Sequence, residues 1–99
     1  MACWYLYIVR TVDKTMYAGI STDVARRFRE HLAQGRKTAK YLLAHKPLSL
    51  AFSQALGDRS LALKVEYHFK LLSKKEKDRI VDTQHLIFER GSGRIKIPE

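Results

Sequence analysis

Residues 4–20 read WYLYIVRTVDKTMYAGI, and this stretch decides the fold. Residues 4–10 are apolar, aromatic and β-branched, the composition of a strand. Val12, Asp13, Lys14 and Thr15 form a polar turn. Residues 16–20 return as a second strand, in which Gly19 marks a bulge or a close backbone approach. A turn this short makes the pair antiparallel. Working outward, Ser21, Thr22 and Asp23 offer N-cap chemistry for a helix over 23–34. Its apolar stripe is Val24, Phe28 and Leu32, and Gly35 stops it. A basic segment, 36–46, contains a short helical stretch around 41–44 that Pro47 ends. Residues 48–55, LSLAFSQA, alternate, with Leu48, Leu50 and Phe52 on one face of a third strand. Gly57 and Asp58 read as turn and N-cap for a second long helix predicted over 58–72, with Leu61, Val65, Phe69 and Leu72 facing inward. Ser73 and Glu76 form a capping box for a short helix to about residue 82. The result is a small α/β protein: a three-stranded sheet, made of an antiparallel hairpin plus a third strand, flanked by helices.

With 99 residues the chain forms one domain, placed at 1–82, followed by a tail at 83–99 that is expected to be partly flexible, especially past residue 90. Lys and Arg number 19 against 10 Asp and Glu, a net charge of +9, which suits a polyanion, and nucleic acid is the foremost such partner. No apolar run approaches the roughly 20 residues of a membrane span, so no membrane partner is expected. The start lacks a basic n-region and a small-residue cleavage site. Cys3 alone cannot form an internal disulfide, and no Cys/His cluster suits a structural zinc, so a reduced, cytoplasmic setting is expected.

Core packing alone leaves five polar groups unexplained: Tyr7 and Tyr17 in the two strands, Arg27 and His31 on the first helix, and Glu66 on the second. Arg27 and His31 are four apart and share a helix face bordering the apolar stripe. Taken singly, each has a plain explanation. Arg27 can snorkel, His31 can be a partly buried core residue, and Glu66 can pair with Lys70 at i+4. A strand tyrosine commonly packs its ring and leaves its hydroxyl at an edge. Glu66 also lies off the apolar stripe beside small Ala62, which leaves room for a metal ion or a phosphate.

In combination the residues are more telling. Tyr5-Leu6-Tyr7, Tyr17-Ala18-Gly19, Arg27, His31 and Glu66 occur in an order and spacing that resembles the GIY-YIG nuclease family. The runs 22–27 and 57–63 are similar to its small standalone bacterial members, of the YhbQ type. The resemblance covers about residues 3–82 and implies the GIY-YIG fold. It departs where Tyr5-Leu6 replaces Gly-Ile, where Ala18 replaces the middle Ile, and at Ile20, where some repair members carry a lysine.

The resemblance implies a metal-dependent endonuclease that hydrolyses DNA phosphodiesters, structure-selective and engaged in repair or processing. Glu66 would hold one Mg²⁺ or Mn²⁺ ion, and Arg27 would brace the phosphate oxygens. Tyr17 or His31 would act on the water; at their ordinary pKa values His31 is the easier base. Tyr7 would orient Tyr17 or the water. Arg26, Arg29, Arg36, Lys37, Lys40 and Lys46 would contact phosphates, and Tyr41 or Trp4 offers a ring to a base. Two other functions fit the same sequence: a non-catalytic nucleic-acid-binding module, and an accessory subunit docking a protein partner through Leu86, Ile87 and Phe88 in the tail.

Overall fold

The computed structural model describes residues 2–97. Strand β1 (Trp4–Thr11) is the centre of a three-stranded sheet and pairs antiparallel with β2 (Met16–Ser21) on one side and β3 (Pro47–Gly57) on the other. Because β1 is central it is buried on both faces, and Leu6, Tyr7, Ile8 and Val9 are all inaccessible. Strand alternation divides them between two layers. Leu6 and Ile8 join a core with helix α3 (Arg59–Leu71) and helix α4 (Lys74–Thr83). Tyr7 and Val9 face the opposite layer, where helix α1 (Val24–Leu32) and helix α2 (Lys40–Ala44) supply Val24, Phe28 and Leu42.

The helix starts obey the expected chemistry. The Asp23 side chain accepts from the Arg26 backbone, and Asp58 accepts from Leu61. Ser73 and Glu76 complete a reciprocal capping box. Among the described residues no helix is long and apolar enough to cross a membrane.

Three expectations need correction. First, Leu32 is 48% exposed: the inward line of α1 is Val24, Phe28 and His31, at spacings of four and three. Second, Leu48 and Leu50 are 60% and 38% exposed, whereas Phe52 is buried. The β1–β3 register slips between Ile8 and Val9, where β3 carries Ala51 as an extra residue, and such a slip reverses the faces of the strand beyond it.

Third, the tail folds back. Strands β4 (Ile87–Phe88) and β5 (Ile95–Lys96) form a small antiparallel hairpin, Leu86 is buried, and Phe88, Ile95 and Ile97 pack on the main core. The proposed docking patch is thus largely core, and only Ile87 turns outward. The hairpin seats on α3 through Gly93 (φ 72°), where a Cβ would stand 2.5 Å from that of Lys64. The remainder of the expected flexible tail, residues 98–99, lies outside the described residues.

Candidate active site

The register of β1 and β2 sets the site. Tyr7 pairs with Gly19 and Val9 with Tyr17, so Tyr7, Gly19 and Tyr17 share the face turned toward α1. Gly19 makes room for its partner: a Cβ there would stand 2.5 Å from the Tyr7 hydroxyl. The Tyr7 phenol extends under α1 and meets His31 at 2.9 Å, oxygen to Nε2. The Tyr17 ring stands over both, with centroids 6.3 Å from Tyr7 and 5.6 Å from His31.

His31 is fully buried, and both its ring nitrogens are engaged. The Ala39 backbone N–H donates to Nδ1, so the ring proton sits on Nε2 and Nε2–H donates to the Tyr7 oxygen. Burial, and then the positive charge of Arg27, push the His31 pKa down to about 4. The imidazole is therefore neutral at ordinary pH. This corrects the expectation that His31 is the easier base, because its lone pair is occupied by Ala39 and no water reaches it. Tyr7 is pushed the other way: burial, and then the neighbouring Tyr17, raise its pKa against the opposing pull of Arg27. It stays a neutral phenol and leaves its own proton free to be donated.

Arg27 lies one turn before His31 with its side chain partly exposed. Its guanidinium donates to Glu30 at 3.0 Å and to the Lys37 carbonyl, which fixes its position. Burial works against its charge, but Glu30 and Tyr7 outweigh burial and raise its pKa. Glu30 is a residue the sequence reading missed. Its i+3 and i+4 spacing from Arg27 and Arg26 was the available signal. It gathers Arg26 at 3.2 Å and Lys37 at 3.9 Å as well, so these two expected phosphate contacts already have a counter-charge. Arg29, Arg36, Lys40 and Lys46 all reach the surface.

Glu66 is on α3, in the layer on the other side of the sheet, and its carboxylate, 19% exposed, pairs with Lys70 at 3.4 Å. This is the plain i+4 pairing noted from sequence. The two layers meet at the open edge of β2, where a cavity of about 310 Å³ is lined by Tyr17 and Tyr41 from one side and by Phe69, Lys70 and Lys77 from the other. Tyr7, Tyr17, Arg27 and His31 are thus brought together; Glu66 is not among them, and its partner Lys70 lines the cavity that Tyr17 also lines. Tyr41, the residue offered for base stacking, already has neighbours: His45 stacks on it at 4.4 Å, and Tyr17 lies 6.0 Å away. Trp4, the other ring offered, packs on the main core and carries Arg59 over its face at 5.6 Å.

The described residues contain no group of three or more His, Cys, Asp or Glu that could hold a metal ion. A single half-buried carboxylate fits Mg²⁺, which keeps most of its waters and is commonly bound by one or two carboxylates plus substrate phosphates. It does not fit a tightly held resident ion.

Comparison with known proteins agrees with this fold. The model of the GIY-YIG catalytic domain matches residues 3–79. The YhbQ protein of Salmonella arizonae, described as UPF0213, is 52% identical over 84 residues, covering 85% of this chain and 82% of its own. A UPF0213 protein of Enterobacter sp. (strain 638) is 57% identical over 79 residues, 80% of this chain and 76% of its own. The solution NMR structure of the UPF0213 protein BH0048 from Bacillus halodurans superposes with a TM-score of 0.53 at 33% identity, covering 83% of this chain and 85% of that one.

Proposed function

The chain belongs to the GIY-YIG catalytic-domain family, alongside the small YhbQ-type proteins, and from that membership we propose that it is a metal-dependent endonuclease cleaving DNA phosphodiesters in the cytoplasm. The observation that carries the proposal is the convergence of Tyr7, Tyr17, Arg27 and His31, from three separate elements, beside a cavity at the sheet edge. Repair or processing of branched or nicked DNA is the role this activity suits.

In this reading each residue has one task. Tyr17 has access to the cavity and acts on the attacking water. His31 is a positioning residue: anchored by Ala39, it holds Tyr7 through Nε2–H, which leaves the Tyr7 hydroxyl proton to point toward Tyr17 or the water. Arg27, already aligned by Glu30, places a permanent positive charge where phosphoryl oxygens gain charge. Glu66 would hold Mg²⁺ or Mn²⁺, which when bound supplies charge neutralisation at the phosphate. Because Glu66 is a lone carboxylate, metal affinity is expected to be poor until nucleic acid adds its own oxygens.

The test is a cleavage panel of duplex, nicked, branched and single-stranded DNA, with and without Mg²⁺ or Mn²⁺. Wild type is expected to nick only with metal. Arg27→Ala is expected to lose about 10²–10³-fold in rate, and Glu66→Ala to be inactive. Metal-independent activity, or full activity in Glu66→Ala, overturns the proposal. The Glu66–Lys70 ion pair favours a second reading, a non-catalytic binding module in which Glu66 is a surface partner of Lys70. That reading predicts nucleic-acid binding unaffected by EDTA and by Glu66→Ala, with no cleavage of any substrate.

A further inference from the structure

The cavity at Tyr17 is the first of three that adjoin. It shares Met16 and Lys77 with a second, of about 190 Å³, which in turn shares Lys14 and Lys74 with a third, of about 560 Å³. Together they form a trench between the β1–β2 turn and α4 that leads away from the candidate active site. Lys70, Lys77, Lys74 and Lys14 succeed one another along it. Asp78 and Asp82 line its far end, and Asp78 holds Lys74 at 3.2 Å. From Tyr17 as far as the turn the charged residues lining the trench are all lysines, whereas beyond it Asp78 and Asp82 stand with Arg10.

Lys14 is placed in a way that stability does not require. The turn closes with Lys14 N–H donating to Thr11 and Thr11 N–H donating to Thr15, and Lys14 takes the left-handed position with φ 67°. Glycine is the residue that fits this place without steric cost. Lys77 lies over the Phe69 ring at 5.7 Å, at the passage from the first cavity to the second, and lines both.

We infer that this trench is the track of one nucleic-acid strand, with its phosphate backbone running from Tyr17 over Lys77 to Lys74 and Lys14. The inference rests on the nuclease reading for the position of the reacting phosphate. It assigns binding to α4 and the hairpin turn, a different surface from the arginines and lysines of α1 and α2. Charge complementarity selects the occupant: a polyanion with regularly spaced charges matches a row of ammonium groups, whereas a neutral or basic peptide does not.

The experiment is fluorescence anisotropy of a labelled DNA oligonucleotide in EDTA, where no cleavage occurs, over a series of salt concentrations. Lys14→Gly and Lys77→Ala are compared with wild type and with Lys75→Ala, which removes an exposed charge of α4 that does not line the trench. Each trench variant is expected to bind several-fold more weakly, with its log–log salt slope shallower by about 0.7–0.9. Lys75→Ala is expected to stay near wild type. The melting temperature of Lys14→Gly is expected to equal or exceed that of wild type, so its weaker binding cannot come from unfolding. Wild-type affinity in both trench variants, or an equal loss in Lys75→Ala, overturns the inference. Cleavage assays separate it from the nuclease reading: an inactive protein that still binds through these lysines keeps the trench, and an active one that ignores them removes it.

Discussion

At Gly19 one missing methyl group decides whether Tyr7 and His31 can meet. The Tyr7 hydroxyl is the end of a rigid, buried ring and has no room to retreat from a Cβ. Gly19→Ala is expected to break the Tyr7–His31 hydrogen bond, to reduce cleavage strongly, and to cost about 1–3 kcal/mol in urea unfolding. Cleavage at the wild-type rate would show that Tyr7 is not needed in this position. His31 makes a second claim open to measurement. Its folded pKa of about 4 is below the ordinary histidine value, so the unfolded chain binds more protons between the two. The stability that His31 contributes is expected to be full above about pH 6.5 and to be lost progressively as pH falls toward 4. The groups that act on His31 are Arg27, which favours the neutral ring, and Glu30, which opposes it. An NMR titration is expected to find the imidazole neutral at about pH 5; a midpoint near the ordinary histidine value of about 6.5 would contradict the buried, Nε2-protonated ring.

The elements were largely legible because their signals are local. Asp23, Asp58 and the Ser73–Glu76 box mark three helix starts, and each makes the predicted hydrogen bond. Ser73→Ala is expected to cost about 1 kcal/mol, read as a lower midpoint in urea. An unchanged midpoint would mean that the α3–α4 junction is held by packing alone. What failed at this scale was facing. In α1 the four-residue spacing of Val24, Phe28 and Leu32 was extended one step too far, and His31 takes the inward place because Tyr7 and Ala39 satisfy both its nitrogens. In β3 the strand forms, but Leu48 and Leu50 do not share the buried face of Phe52: an extra residue in a β-bulge arises from pairing with another strand, and a single strand's composition does not reveal it.

Across the whole molecule, the last segment belongs to the core. Leu86 is buried against the α3–α4 layer, and the Gln54 side chain donates to its carbonyl at 3.0 Å. Leu86→Ala is expected to destabilise the protein by about 2–5 kcal/mol in chemical denaturation. A cost below about 1 kcal/mol would restore the picture of a loosely attached tail. Composition alone does not distinguish a linker from a tight turn in Gly91, Ser92 and Gly93, and here Gly93 is the close approach that lets the hairpin reach Lys64 on α3.

The sequence by itself determined the order of the elements as far as α4, the antiparallel β1–β2 hairpin and the family, since strand composition, turn chemistry, caps and motif spacing all act over short separations along the chain. It also named Tyr7, Tyr17, Arg27, His31 and Glu66. Which of them stand together, and what surrounds each, was decided only by tertiary structure. Whether a histidine is a base or a buried prop depends on which groups occupy its nitrogens, and those come from residues 24 positions before it and eight after it. Whether a lysine faces solvent or a trench depends on how α4 packs against a turn some sixty residues earlier, a relation that no local pattern encodes.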